Sequence, residues 1–218
     1  MELMVVVLLI SILAILAIPS FTTTNYDRIA FNDTGYLTNV FRAARTRALA
    51  RGAATVIHFS SSQGASQRGR FEIWEAVTAD VPTGGTASTD FRTPVGSCKS
   101  PTTWVLPSIT VPANTPTNTH ANAFIDALDM NGAIEAQAQV FTKVLDPNGN
   151  AVTDAFLCFT PLGRIYYSTT ATFDSATPMN GVLQIKVYVF DAAQTSQTRG
   201  IVRTVVVPSS GMARFIST

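Results

Sequence analysis

Few side chains in this 218-residue chain are suited to chemistry: two histidines, His58 and His120, and two cysteines, Cys98 and Cys158. A zinc site draws on closely spaced Cys and His pairs, and no Cys-x-x-Cys spacing is present. In an oxidising compartment Cys98 and Cys158 would form one disulfide, closing a loop of roughly 60 residues worth about 4 kcal/mol in the chain-entropy account. In a reducing compartment they would be two buried thiols. His58 sits in "ATVIHFS", an alternating stretch where a histidine serves structure more often than catalysis, and His120 lies in loop-like sequence without a visible partner. No nucleophile elbow, His-Glu-x-x-His pair, phosphate-binding loop or dinucleotide fingerprint occurs, and "TGGT" alone is a turn. The reading is of a protein that is not an enzyme.

Oxygen ligands come closest to a metal pattern in "DPNGNAVTD", where Asp146, Asn148, Asn150 and Asp154 stand at even spacings like the first part of a calcium loop. Ala151 and Leu157 stand where an EF-hand would have its glycine and its closing bidentate acid. An ordinary Pro-Asn-Gly hairpin turn is the preferred expectation, with no cofactor, and calcium is the alternative. Charged residues make up only 13% of the chain and the net charge is +1, so nothing in the overall balance points to a polyanion or an acidic substrate.

The elements that would carry these residues begin with "MELMVVVLLISILAILAIPSF". Its apolar run, 3–18, follows an acidic residue, Glu2, and ends at Pro19. A cleavable signal peptide wants a basic residue ahead of the run, and a core helix wants polar interruptions, so a membrane-inserted helix is the expectation. Further on, Leu37, Val40, Phe41, Ala44, Ala48 and Leu49 recur at spacings of three and four, one stripe of an amphipathic helix. Arg42, Arg45 and Arg47 fall mostly off that stripe, and Arg51 and Gly52 close the helix. Pro19 is expected to kink or break it.

After Gly52 the period turns to alternation. "ATVIHFS", "RFEIWEAV", "TWVLPSITV", "QVFTKVL", "FLCFT", "RIYYS", "GVLQIKVYVF" and "GIVRTVVVP" read as strands, separated by "DPNGN", "TPLGR" and "TPMNG" turns. Exposed loops are expected at 78–103 and 112–138, the second including a short helical candidate at "NAFIDALDM". The expected class is α+β: a long N-terminal helix, membrane-spanning over 1–21 and amphipathic over 22–52, packed on an antiparallel β domain over 53–218.

These residues support a resemblance. "ELMVVVLLISILAILAIPSF" resembles the N-terminal helix of type IV pilins and of type II secretion pseudopilins. "FRAARTRALARGAATVIHF", "LCFTPLGRIYYS" and "VVVPSSGMARF", in that order, look like the H-type minor pseudopilins and related minor pilins. The likeness implies a lollipop-shaped subunit of a type IV pilus or pilus-like filament, concerned with fibre assembly or the tip; a minor pseudopilin of a type II secretion system is the alternative. It implies partners: other pilin subunits through the N-terminal helices, the inner membrane before assembly, a prepilin peptidase and an assembly platform. It also implies a place, first as a single-pass inner-membrane protein with a periplasmic domain and then in the fibre or at the cell surface. Glu2 and Pro19 become assembly residues, Glu2 setting register by pairing with the N-terminal amine of a neighbouring subunit. Only Met1 precedes Glu2, where the family has four residues after its cleavage site, so Met1 is expected to occupy the last of those positions, with a start upstream. Some competence-linked relatives bind DNA through Gly-Arg-x-Arg; "GMAR" keeps Gly211 and Arg214 but has Met212 at the first arginine, and one arginine neutralises one phosphate. DNA binding is therefore the weaker reading.

Overall fold

The computed structural model describes residues 2–61, 69–79, 92–99, 122–130, 138–170, 173, 177–191 and 194–217. It opens with α1 (Glu2–Arg51), whose assignment runs on through Pro19 without a break. Gly52 ends the helix at φ 66°, a left-handed conformation that glycine adopts without steric cost.

Among the described residues eleven strands follow: β1 (Thr55–Ser60), β2 (Arg70–Ala79), β3 (Arg92–Pro94), β4 (Asn122–Asp129), β5 (Ala138–Leu145), β6 (Ala151–Val152), β7 (Asp154–Phe159), β8 (Ile165–Ser168), β9 (Val182–Asp191), β10 (Gln194–Pro208) and β11 (Arg214–Ser217). One sheet has the order β3-β2-β1-β7-β8, with β4 also on β2, and the other has β11-β10-β9-β5-β6. All pairings are antiparallel. The apolar faces of both sheets and one stripe of α1 enclose a shared core. Ile57, Phe71 and Leu157 come from the first sheet, Ile185, Val187 and Val205 from the second, and Leu37 and Phe41 from the helix. The far face of the first sheet has its own cluster, in which Val56, Trp74, Phe156 and Phe173 surround Cys98 and Cys158.

The expected α+β class with a membrane-spanning helix is corrected to a mainly β architecture of two antiparallel sheets. Among the described residues no helix is long and apolar enough to cross a membrane. The expected single-pass inner-membrane placement is overturned by the same finding. A second correction concerns "NAFIDALDM", expected to be helical: Asn122–Asp129 is β4, paired with β2 from Arg70↔Asp129 to Ala76↔Asn122. A short apolar run carries both periods, and the free edge of β2 decides between them. The strand candidate "TWVLPSITV" lies outside the described residues.

The stripe of α1 also differs from its reading. Leu49 is exposed, while Thr34 and Thr38 are buried alongside Ala30, Leu37, Phe41, Ala44 and Ala48. The threonines enter the core because each hydroxyl donates to the carbonyl four residues back, Thr34 to Ala30 and Thr38 to Thr34, so no polar hydrogen is left without an acceptor. Half-buried Asp33 lies beside them, and burial pushes its carboxyl from 3.8 up to about 6. The folded state thus keeps a proton that the unfolded chain releases, a stabilisation complete below pH 3.8 and lost as pH rises through about 6. Urea unfolding should show stability falling across that interval, and Asp33→Asn should flatten the slope.

Candidate functional site

Two halves of α1 behave differently. Over 4–13 every described side chain is exposed, from Met4 at 81% to Ile12 at 47%. The one hydroxyl there, Ser11, donates to the carbonyl of Val7 at 2.8 Å, so the polar group is turned onto the backbone and the outer surface stays apolar. From Ala30 onward the helix is docked on the sheets.

Charged contacts position this helix, and none of them was read from the sequence. Buried Glu75 on β2 receives Arg47 at 2.5 Å on Oε2 and Arg51 at 2.7 Å on Oε1, clamping the last turns of α1 to the first sheet. Arg42 Nε donates to the carbonyl of Ala213 at 3.1 Å, beside β11. At the other end of the docked half, Asp27 Oδ1 accepts the amide of Ile201 at 2.6 Å, inside an irregularity of β10 between Arg199 and Arg203. Gly200 makes that approach possible: its φ is 72° and an added Cβ would strike the Asp27 carboxylate. Gly200→Ala should therefore cost about 2 kcal/mol, from left-handed strain and a weakened hydrogen bond, measurable as a lowered denaturant midpoint.

The residues singled out by sequence separate into distinct places. Cys98 and Cys158 form a disulfide with Cα atoms 6.1 Å apart. Asp146, Asn148 and Asn150 share the β5–β6 turn, where Asp146 Oδ1 accepts the amides of Asn148 at 2.9 Å and Asn150 at 2.7 Å. Slight desolvation would raise the Asp146 carboxyl, yet the donors of Asn150 and Asn148 outweigh it and hold the group below the ordinary carboxylate range. Asp154 is not brought to this turn. It lies on β7, with Oδ1 3.3 Å from His58 Nε2. Among the described residues no group of three or more acidic, His or Cys side chains is placed to hold a metal ion.

His58 is buried, stacked on Phe156 at 4.3 Å, with Nδ1 3.5 Å from Glu72 Oε2. Glu72 also meets Arg70 Nε at 2.9 Å, so these groups tie β1, β2 and β7 together across the sheet. Arg214 is exposed on β11 opposite Val206, Met212 is exposed before it, and Gly211 turns the chain at φ 77°. Glu2 and Pro19 have helical backbone, but their side chains, and all of His120, lie outside the described residues.

Comparison with family models, with curated proteins and with solved structures gave no match.

Proposed function

We propose that this chain is a non-enzymatic structural subunit that assembles into a filament of the type IV pilus kind through the apolar N-terminal part of α1, as a minor subunit concerned with fibre assembly or its tip. The minor pseudopilin of a type II secretion system is the alternative within the same reading. One observation carries it: residues 4–13 expose apolar surface all round, while the same helix is firmly docked from Ala30 on. A helix apolar on every side is a buried element, and here its cover has to come from beyond the chain's own core. Glu2, acidic at the head of that segment, sets register, because a carboxylate drawn into an apolar interface without a cation is strongly penalised.

The test compares filaments made by the full chain with those made by Leu8→Glu, scored by electron microscopy and by the amount of this chain in the sheared fraction. Leu8→Glu places a charge within the segment and should remove the chain from the fibre, while a chain beginning at Thr24 should be monomeric in sedimentation. Wild-type incorporation of Leu8→Glu would refute the reading.

A further inference from the structure

Deepening the filament reading and resting on it, we infer that the N-terminal helix segment of a second copy docks on an apolar patch beside the middle of α1, with Arg203 as the cation that receives its Glu2. The patch joins three elements of the fold. Phe31, one turn beyond Asp27 on α1, meets Phe215 of β11 edge-on at 5.5 Å, and the Arg203 guanidinium of β10 lies over the Phe31 ring at 5.2 Å. Val205↔Phe215 pairing puts Phe215 on the helix-facing side of the sheet, the side also used by Arg203 two residues earlier. The backbone amide of Ile201 is held by Asp27, one helical turn before Phe31. Phe31 is 47% exposed and Phe215 39%, so two large aromatic side chains and a cation share one solvent-facing site.

Arg203 makes no ion pair among the described residues, and its Nε–H finds no acceptor there. Arg47 and Arg51 are engaged by Glu75 and Arg42 by the carbonyl of Ala213; Arg45 Nε, like that of Arg203, finds no acceptor among the described residues, but it is Arg203 that lies over the Phe31 ring. An aromatic surface with one uncompensated guanidinium fits an apolar segment that carries one carboxylate. The sequence contains such a segment in "MELMVVVLLISIL", where a single acid, Glu2, precedes the residues exposed over 4–13.

The occupant has to be another copy. On the continuous helix α1, Leu8 and Phe31 are separated by about 35 Å at ~1.5 Å per residue, so a chain cannot bring its own N-terminal segment onto its own patch. The contact is then head-to-middle between different surfaces, a heterologous geometry that propagates into a fibre where the rotation does not close.

The experiment uses the full chain and reads the sedimentable polymer. Arg203→Glu and Glu2→Arg should each lower it at least about tenfold, an effect of roughly 1.4 kcal/mol per contact, and the doubly reversed chain should recover most of the loss. A photo-crosslinking residue in place of Phe31 should capture peptides from the first thirteen residues of a second copy. This second measurement decides the question even if a charge reversal impairs folding, because it leaves both charges in place. Wild-type polymer from Arg203→Glu, or crosslinks leading to any other segment, overturns the docking site. If Leu8→Glu still abolishes assembly in that case, the filament reading survives it. If Leu8→Glu also assembles normally, that reading fails as well.

Discussion

Replacing Cys98 and Cys158 together with alanine is expected to destabilise the domain by about 4 kcal/mol, lowering the melting temperature by roughly 8–16 °C for a chain of this size. The bridge spans 60 residues of sequence, so its removal restores a large conformational freedom to the unfolded chain. It also joins the segment after β3 to the interior of β7. Cys158 faces Val56, one strand away on β1, and Cys98 caps the cluster around Trp74 and Phe173. Both sulfurs are buried, so reducing agent should act slowly on the folded protein and rapidly above its transition. A melting shift under about 3 °C in the double variant would show that the far face of the first sheet holds without the bridge.

The second large effect is expected at the clamp on the end of α1. Arg47→Ala with Arg51→Ala should cost about 3 kcal/mol, since it strands the Glu75 carboxylate in the interior with neither cation. The arginines are 36% and 51% exposed and lose little on release into water, whereas Glu75 is 2% exposed. The penalty therefore belongs to the acid. Adding Glu75→Met to the double variant should recover most of the stability, because an apolar side chain of similar size tolerates the site that an unpaired carboxylate does not. Equal instability of the double and triple variants in urea unfolding would refute this assignment.

Local patterns in the sequence determined a good deal. Alternation in "ATVIHFS", "RFEIWEAV" and "GVLQIKVYVF" coincides with β1, β2 and β9, since residues that share a face of a strand are recorded two apart. The turns "DPNGN" and "TPLGR" follow one rule, a Pro followed two residues later by Gly: Gly149 at φ 87° and Gly163 at φ 77° close hairpins with amides bonded back to Asp146 and Thr160. Two lone cysteines admitted a single intramolecular pairing. The tertiary structure decided what depends on residues far apart in sequence. It made "NAFIDALDM" a strand because β2 offered it an edge, and it exposed Leu49 while burying Thr34 and Thr38, whose hydroxyls the helix backbone could satisfy. It separated Asp154 from Asp146 because the β6–β7 connection turns Asp154 toward His58. Glu75 reads as one acid in an alternating strand, and only the packing of α1 across that strand sets two arginines from a helix turn beside it. Arg203, Phe31 and Phe215 likewise stand on three elements, with no short-range spacing to announce them. Periodicity records which side of its own element a residue occupies, while the partner on that side is set by how the sheets and the helix close on one another.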